Sequence, residues 1–322
     1  MLRLTNDIQI GAFQFLGVNE VATESSWELM TDTCTITVPK KLTWQGKPLA
    51  ADTNPLLKKG DAVTVKIGYN DRNNTVFKGY LTNIHANLPI VLDCQDAMWK
   101  LKTGSFKKSY RKVTLSQLLK DMLTPLHIPF KVVAEHDLGG FRTKGNPTPA
   151  KVLDEIRKDY FTKFFFRDGV FYAGLAYVAE LQKEHTIRFN RNVVEHDLEY
   201  VRKDDVKLKI KCVILNSKNK KEEFEIGDDD GEVRTIHHYN VSKSEMLKLC
   251  TAEMERLRYD GYRGTVTIFG EPHIQHGDVV TLIDTDNPER EGAYLVKKVT
   301  KTFNERGYRQ ILEIETKVRS KS

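Results

Sequence analysis

Two stretches more than two hundred residues apart carry nearly the same phrase: "KKGDAVTVKIGYN" at residues 58–70 and "QHGDVVTLIDTDN" at residues 275–287. Gly60-Asp61-Ala62-Val63-Thr64-Val65 faces Gly277-Asp278-Val279-Val280-Thr281-Leu282. Glycine tolerates a positive φ and aspartate caps a tight turn with its own carboxylate, so each Gly-Asp pair marks a turn that launches an alternating strand. A Gly-Asp turn alone is common in all-β chains. Here each copy is also followed by a polar loop and a glycine-initiated strand, Gly79-Tyr80-Leu81-Thr82-Asn83-Ile84 and Gly292-Ala293-Tyr294-Leu295-Val296. Matched phase means that both strands bury the same face, because a one-residue slip would turn every side chain over. The pattern points to a duplicated β-domain in which Gly60, Asp61, Gly277 and Asp278 are structural turns of the repeat.

The surrounding sequence predicts an α+β, mainly β chain: two similar small β-barrel domains with an intervening α+β domain. Residues 1–104 alternate in short runs such as "CTITVPK" and "AVTVKIGY", with turn residues and the connection "ANLP" between them, as in a small barrel or sandwich. Residues 105–184 change character. Thr114 and Gln117 form a capping box ahead of Leu115, Leu118, Leu119 and Met122, and Pro125 ends that helix. Thr148 and Pro149 open a second helix with Val152, Leu153, Ile156 and Tyr160 as its apolar stripe, and Asp168-Gly169 between aromatic runs signals a hairpin. Residues 185–322 return to β, with "DDVKLKIKCVIL" as a half-exposed strand and "NSKNKKEEFEIGDDDGEV" as a polar excursion. One helix interrupts near 243–258, capped by Ser242 and Glu245, with Met246, Leu249, Cys250, Met254 and Leu257 as its apolar face.

A length of 322 residues exceeds what one core usually organises, and 40% apolar with 29% charged residues is a globular composition. No apolar run reaches the roughly 18 residues of a membrane span, and the start lacks the apolar core of a signal peptide, so folding in the cytoplasm and no membrane anchoring are expected. Cys34, Cys94, Cys212 and Cys250 are widely spaced with no CxxC pair, which predicts buried free thiols. The net charge of +6 is a mild excess. The densest basic stretch, "WKLKTGSFKKSYRK", sets Lys100, Lys102, Lys107, Lys108, Arg111 and Lys112 around Phe106 and Tyr110, which suits either a solvated strand edge or a nucleic-acid-binding module over residues 100–112.

Candidate chemistry is sparse, and no catalytic residue, metal ligand or cofactor site is expected. His273 and His276 with Glu271 lack the helical spacing that would align metal ligands. His237-His238 and Glu195-His196-Asp197 alternate across strands, without a nucleophile motif. "GDDDGE", spanning Asp228 to Glu232, lacks the ligand spacing of a calcium loop and suits a solvated turn. Glu20, Glu24 and Glu28 near Trp27 are the carboxylates that a cell-wall hydrolase, the enzymatic alternative, would have to use.

The order of "FKGYLTNI", "VLDCQDAMWKLK", "VTLSQLLKDML", "NPTPAKVLDEIRKDY", "FFFRDGVFYAGL" and "EMERLRYDGYRGTVTIFGEPHIQHGDVVTLID" resembles the baseplate hub proteins of contractile phage tails. That group includes the late control D family and is similar to the N-terminal hub part of type VI secretion spike proteins. The resemblance covers nearly the whole chain. It implies a homotrimer whose two barrel domains per chain form a ring, joining the hexameric tail tube to the trimeric spike and lining a central channel for DNA or effector. Implied partners are the tail tube protein, the spike protein and the tape-measure protein. The implied setting is bacterial cytoplasmic synthesis followed by assembly into a phage tail or phage-like particle. Since no needle-like repeat follows the second β region, the spike is expected to be a separate chain. A ring of three chains with two similar domains each would present six similar surfaces, so threefold symmetry could meet sixfold symmetry.

Overall fold

The computed structural model describes residues 3–15, 17–39, 43–44, 47–48, 57–85, 89–135, 137–160, 162–174, 179–215, 220–239 and 241–318. Residues 86–88 of the "ANLP" connection, residues 216–219 of the polar stretch, and the side chains of Tyr160 and His237 lie outside the described residues.

Alternation in sequence becomes alternation in burial. In the strand Thr33–Val38, Cys34, Ile36 and Val38 are buried while the threonines face outward. In Ala62–Tyr69, Val63, Val65 and Ile67 are buried. These strands belong to one 13-stranded sheet whose path runs Val193–Val201, Gly261–Phe269, Gly307–Val318, Gly292–Asn304, Glu20–Ser26, Thr33–Val38, Ile90–Gln95, Arg72–His85, Ala62–Tyr69, Leu4–Ile10 and Phe13–Phe15. Both terminal β regions therefore share a hydrogen-bonded sheet. The join is antiparallel, from Lys298 opposite Ser26 to Asn304 opposite Glu20. Earlier in the same strand, Gly292 to Leu295 pair with Val279–Ile283, which in turn pairs in parallel with Glu184–Arg188.

The middle of the chain supplies the helices. Thr114 accepts from the Gln117 amide at 3.3 Å and starts the helix Leu115–Leu123, whose Leu115, Leu118, Leu119 and Met122 are buried. The short 3-10 turn Thr124–Leu126 follows at Pro125. Thr148 caps the helix Pro149–Tyr160 through the Lys151 amide, and Val152, Leu153 and Ile156 are buried beneath it. Full burial of each such side chain is worth about 1.5–3 kcal/mol, which outweighs the helix's modest intrinsic propensity. The hairpin Lys163–Arg167 and Val170–Gly174 turns at Asp168 and Gly169, both with positive φ. Phe164, Phe166 and Phe171 from the hairpin join both helices in one core, which also draws in Met98 and Leu101 of the short helix Met98–Leu101.

Residues 208–257 form a smaller unit at the end of the antiparallel pair Val193–Val201 and Gly261–Phe269. Three sequence expectations need correction here. The polar excursion contains a strand, Lys221–Gly227, paired with Leu208–Leu215. Glu223 and Glu225 occupy the outer face, where Glu223 meets Lys211 at 2.9 Å, while Phe224 and Ile226 pack inward. Cys212 and Cys250 are joined in a disulfide rather than being free thiols, because Cys250 lies on the buried face of the helix Lys243–Leu257, over the strand that carries Cys212. Cys34 and Cys94 are free and buried, opposite each other on neighbouring strands. Leu249 is 37% exposed, so the packed face of that helix is narrower than its apolar spacing indicates.

Candidate functional site

The two Gly-Asp turns have the same hydrogen-bond pattern. Gly60 N–H donates to Leu81 O and Gly277 N–H to Val296 O, both at 2.7 Å. Leu81 N–H returns to Asp61 O and Val296 N–H to Asp278 O, both at 2.9 Å. Each aspartate also caps its own turn: the Lys58 amide donates to Asp61 Oδ2 at 2.7 Å, and the Gln275 amide to Asp278 Oδ2 at 2.9 Å. Gly60 and Gly277 have φ of +94° and +82°, a region that side chains disfavour.

This correspondence corrects the sequence register. Leu81 matches Val296, so Gly79 corresponds to Tyr294 rather than to Gly292, and Gly79 lies within the strand Arg72–His85 instead of at its start. The two-residue offset keeps every side chain on its original face, which is why the phase argument survives it.

Each turn meets a side chain held by the central core. A Cβ on Gly60 would lie 2.9 Å from Trp99, which sits on the helix Met98–Leu101 and stacks on Tyr80. A Cβ on Gly277 would lie 3.1 Å from Arg167 Nη1, on the central hairpin. The second contact is the more polar. Arg167 donates through Nη2 to Asp278 Oδ1 at 2.7 Å and to Leu181 O, and through Nη1 to His276 O. Asp278 also accepts from the Lys183 amide and meets His185 Nε2 at 3.3 Å. Arg167 is 5% exposed and Asp278 0%. Burial alone would raise the Asp278 carboxyl, but the His185 contact, the Gln275 amide and Arg167 together hold it down at about 2. Beside this pair, Trp27, Phe165, Tyr172, Val279 and Leu295 form an apolar junction between the central unit and the second β region.

His273 and His276 share one stretch of chain but take different partners. They lie in the irregular segment between Phe269 and Val279, and both line a cavity of about 580 Å³. His276 meets Phe166 O at 3.3 Å, and burial and then Arg167 push it down to about 4. His273 Nδ1 lies 3.0 Å from Lys301 Nζ, and burial and then Lys301 push it down to about 3. Burial thus favours the neutral imidazole at both positions. Glu271 is turned away to accept from Asn74. Sequence reasoning missed Arg167, His185 and Lys301; the basic residue inside an aromatic strand, "FFFRDG", and the lysine inside "KKVTKTF" were the available signals.

Two carboxylates on the same cavity wall were also missed. Asp96 accepts from the Asp32 amide at 3.0 Å and the Met98 amide at 2.9 Å, and Asp32 accepts from the Ser26 amide at 3.3 Å. Burial, followed by the Asp96 charge, raises Asp32 well above the usual carboxylate range. Burial raises Asp96 to about 7.

The other candidates are dispersed. Glu24 pairs with Lys298 at 2.7 Å, Glu28 with Lys297 at 3.2 Å, and Glu20 meets Asn304. Trp27 is buried in the apolar junction. In "GDDDGE", Asp228 caps the Leu208 amide and meets Arg258, Asp229 meets Lys209, and Asp230 meets Lys207. Glu195, His196 and Asp197 lie along the strand Val193–Val201, with His196 edge-on to Phe189. No group of three or more potential metal ligands forms among the described residues, and no helix there is long and apolar enough to cross a membrane. In the basic stretch, Phe106 is buried in the central core and Tyr110 packs against it while donating to Asp121. These aromatic rings face inward, away from any base that the neighbouring lysines could hold.

Comparison with solved structures gives matches along the full chain. The 43 kDa tail protein of prophage MuSo2 from Shewanella oneidensis aligns over 96% of this chain and 97% of its own, with a TM-score of 0.65 and 17% identity. A tail protein from Neisseria meningitidis aligns over 97% and 96%, with a TM-score of 0.67 and 14% identity. An E. coli component of the type VI secretion system, described as structurally similar to bacteriophage T4 tail proteins, aligns over 96% of this chain and 76% of its own, with a TM-score of 0.60 and 10% identity. No protein-family model and no curated protein matches the sequence. Matched over nearly its whole length, the chain has the fold of these phage tail proteins.

Proposed function

We propose that the chain is the structural baseplate hub of a contractile tail or injection device. In this reading residues 1–104 and 185–322 are duplicated tube-like barrel domains, and residues 105–184 are the unit set between them. Three chains form a ring with six related β surfaces seated on the hexameric tube; the opposite face receives a separate spike chain, and the lumen passes DNA or effector. The tape-measure protein is a further partner of that lumen. Gly60, Asp61, Gly277 and Asp278 are structural turns in this reading, and the protein works by matching symmetries rather than by catalysis. The particle is phage-like, and the protein joins it after synthesis in the bacterial cytoplasm.

The observation that carries this reading is the hydrogen-bond correspondence of the two turns, within a chain that has a tail-protein fold. Two copies of a β unit in one chain are what a threefold body needs in order to offer six equivalent contacts. The deciding experiment is native mass spectrometry of the purified chain, alone and mixed with the tube protein of the same particle. A trimer that binds one hexameric tube ring is expected. A monomer that stays monomeric in the mixture overturns the proposal.

A further inference from the structure

The cavity of about 580 Å³ is walled by all three parts of the chain: the strands after the first Gly-Asp turn, the tip of the central hairpin, and the segment leading to the second turn. Lys301 is on its wall and is 4% exposed. Its Nζ makes a hydrogen bond to His273 Nδ1, a neutral acceptor that supplies no counter-charge. No carboxylate lies within ion-pair distance of Lys301 Nζ among the described residues. A buried ammonium in that position is costly unless an anion accompanies it.

The carboxylates nearby are already engaged. Asp278 is held by Arg167, His185 and two backbone amides. Asp32 and Asp96 accept from backbone amides, and Asp168 accepts from Gln275 at 3.0 Å. Arg167 also lines the cavity, with both terminal nitrogens committed to His276, Leu181 and Asp278. Lys100, whose ammonium sits 4.9 Å from the centre of the Tyr80 ring, adds a further positive group to the lining.

From this arrangement we infer that the cavity is a binding site for a small oxyanion of the phosphate or polycarboxylate class, with Lys301 as its principal ligand and Lys100 as a further cation of the lining. The anion supplies the missing counter-charge where the three parts of the chain meet, and so ties them together. An anion beside Lys301 offsets the burial that lowers this amine to about 7, so binding is coupled to proton uptake.

The test uses the full chain in chloride buffer of fixed ionic strength at pH 7, with inorganic phosphate in one arm and citrate in the other. Saturable stabilisation in thermal unfolding, together with one site per chain by isothermal titration calorimetry, is the expected result, and the arm with the tighter binding identifies the anion class. Lys301→Met removes the ammonium while keeping an unbranched apolar stem, so it is expected to fold and to bind at least about tenfold more weakly. Exposed Lys107→Met is expected to bind like the unaltered chain. Absence of saturable binding to the unaltered chain in both arms overturns the inference, whatever Lys301→Met does. Equal binding by the Lys301→Met chain overturns it as well.

Discussion

Arg167 and Asp278, 111 residues apart in sequence, are 2.7 Å apart in the fold and almost fully excluded from solvent. Asp278 thereby does two things at once: it caps its own turn and anchors the central hairpin. Asp61 caps the equivalent turn, and among the described residues no arginine pairs with it.

The two aspartates should therefore differ on substitution. Asp278→Ala leaves the Arg167 guanidinium buried without its anion and is expected to cost about 3–5 kcal/mol. Asp61→Ala removes one cap hydrogen bond at a partly exposed site and is expected to cost about 0.5–1.5 kcal/mol. Urea unfolding of the two variants measures the difference, and equal losses would refute the asymmetry.

Gly60→Ala places a Cβ in a positive-φ position and against the Trp99 ring. The backbone contribution alone is about 1–3 kcal/mol. Part of the total should disappear in a Trp99→Ala background, where the ring is gone. A double-mutant cycle in thermal unfolding is the measurement, with a non-zero coupling expected.

Stability should fall in acid because of the buried histidines. His276 and His273 are depressed below the ordinary imidazole value of 6.5, to about 4 and about 3, so their stabilisation is complete above 6.5 and is lost as the pH falls through those lower values. The expected observation is a declining urea midpoint below pH 6.5, with a shallower decline in the His276→Gln variant.

Lys301 acts at the alkaline end. Its folded value of about 7 lies below the ordinary 10.5, so the stabilisation tied to its neutral form is complete above 10.5 and is lost as the pH falls through 7. In phosphate-free buffer the unaltered chain should gain on Lys301→Met between pH 7 and pH 10. Parallel pH profiles for the two chains would contradict the burial of a lone ammonium.

Glu24→Gln and Glu28→Gln probe the ion pairs that these two carboxylates make. Both residues hold partly exposed ion pairs with lysines of the strand Gly292–Asn304, and each substitution is expected to cost at most about 1 kcal/mol. Denaturant titration provides the check.

Local signals were legible in the sequence because local physics sets them. The Thr114, Thr148 and Ser242 caps, the Asp168-Gly169 hairpin and the alternation of Cys34, Ile36 and Val38 all appear where their residues place them. The partners of those elements were not legible. Nothing near Cys212 announces Cys250, because a strand and a helix from a longer excursion meet only after packing. The glutamates of Lys221–Gly227 hid a strand because their counter-charges come from the neighbouring strand. At the site, the turn aspartates were legible as caps, whereas Arg167, His185 and Lys301 were not, since each acquires its role from residues distant in the chain.

The antiparallel join between Glu20–Ser26 and Gly292–Asn304 also sets a timetable. The edge of Glu20–Ser26 emerges from the ribosome early, and its partner strand follows after nearly the whole described chain has been made. At typical elongation rates of about 5–20 residues per second, that strand edge waits on the order of tens of seconds for its partner. During that interval its unpaired amides and carbonyls are open to the same edge on another nascent copy. Crowded polysomes and fast overexpression should therefore favour misjoined chains, and slower translation should increase the yield of correctly closed molecules.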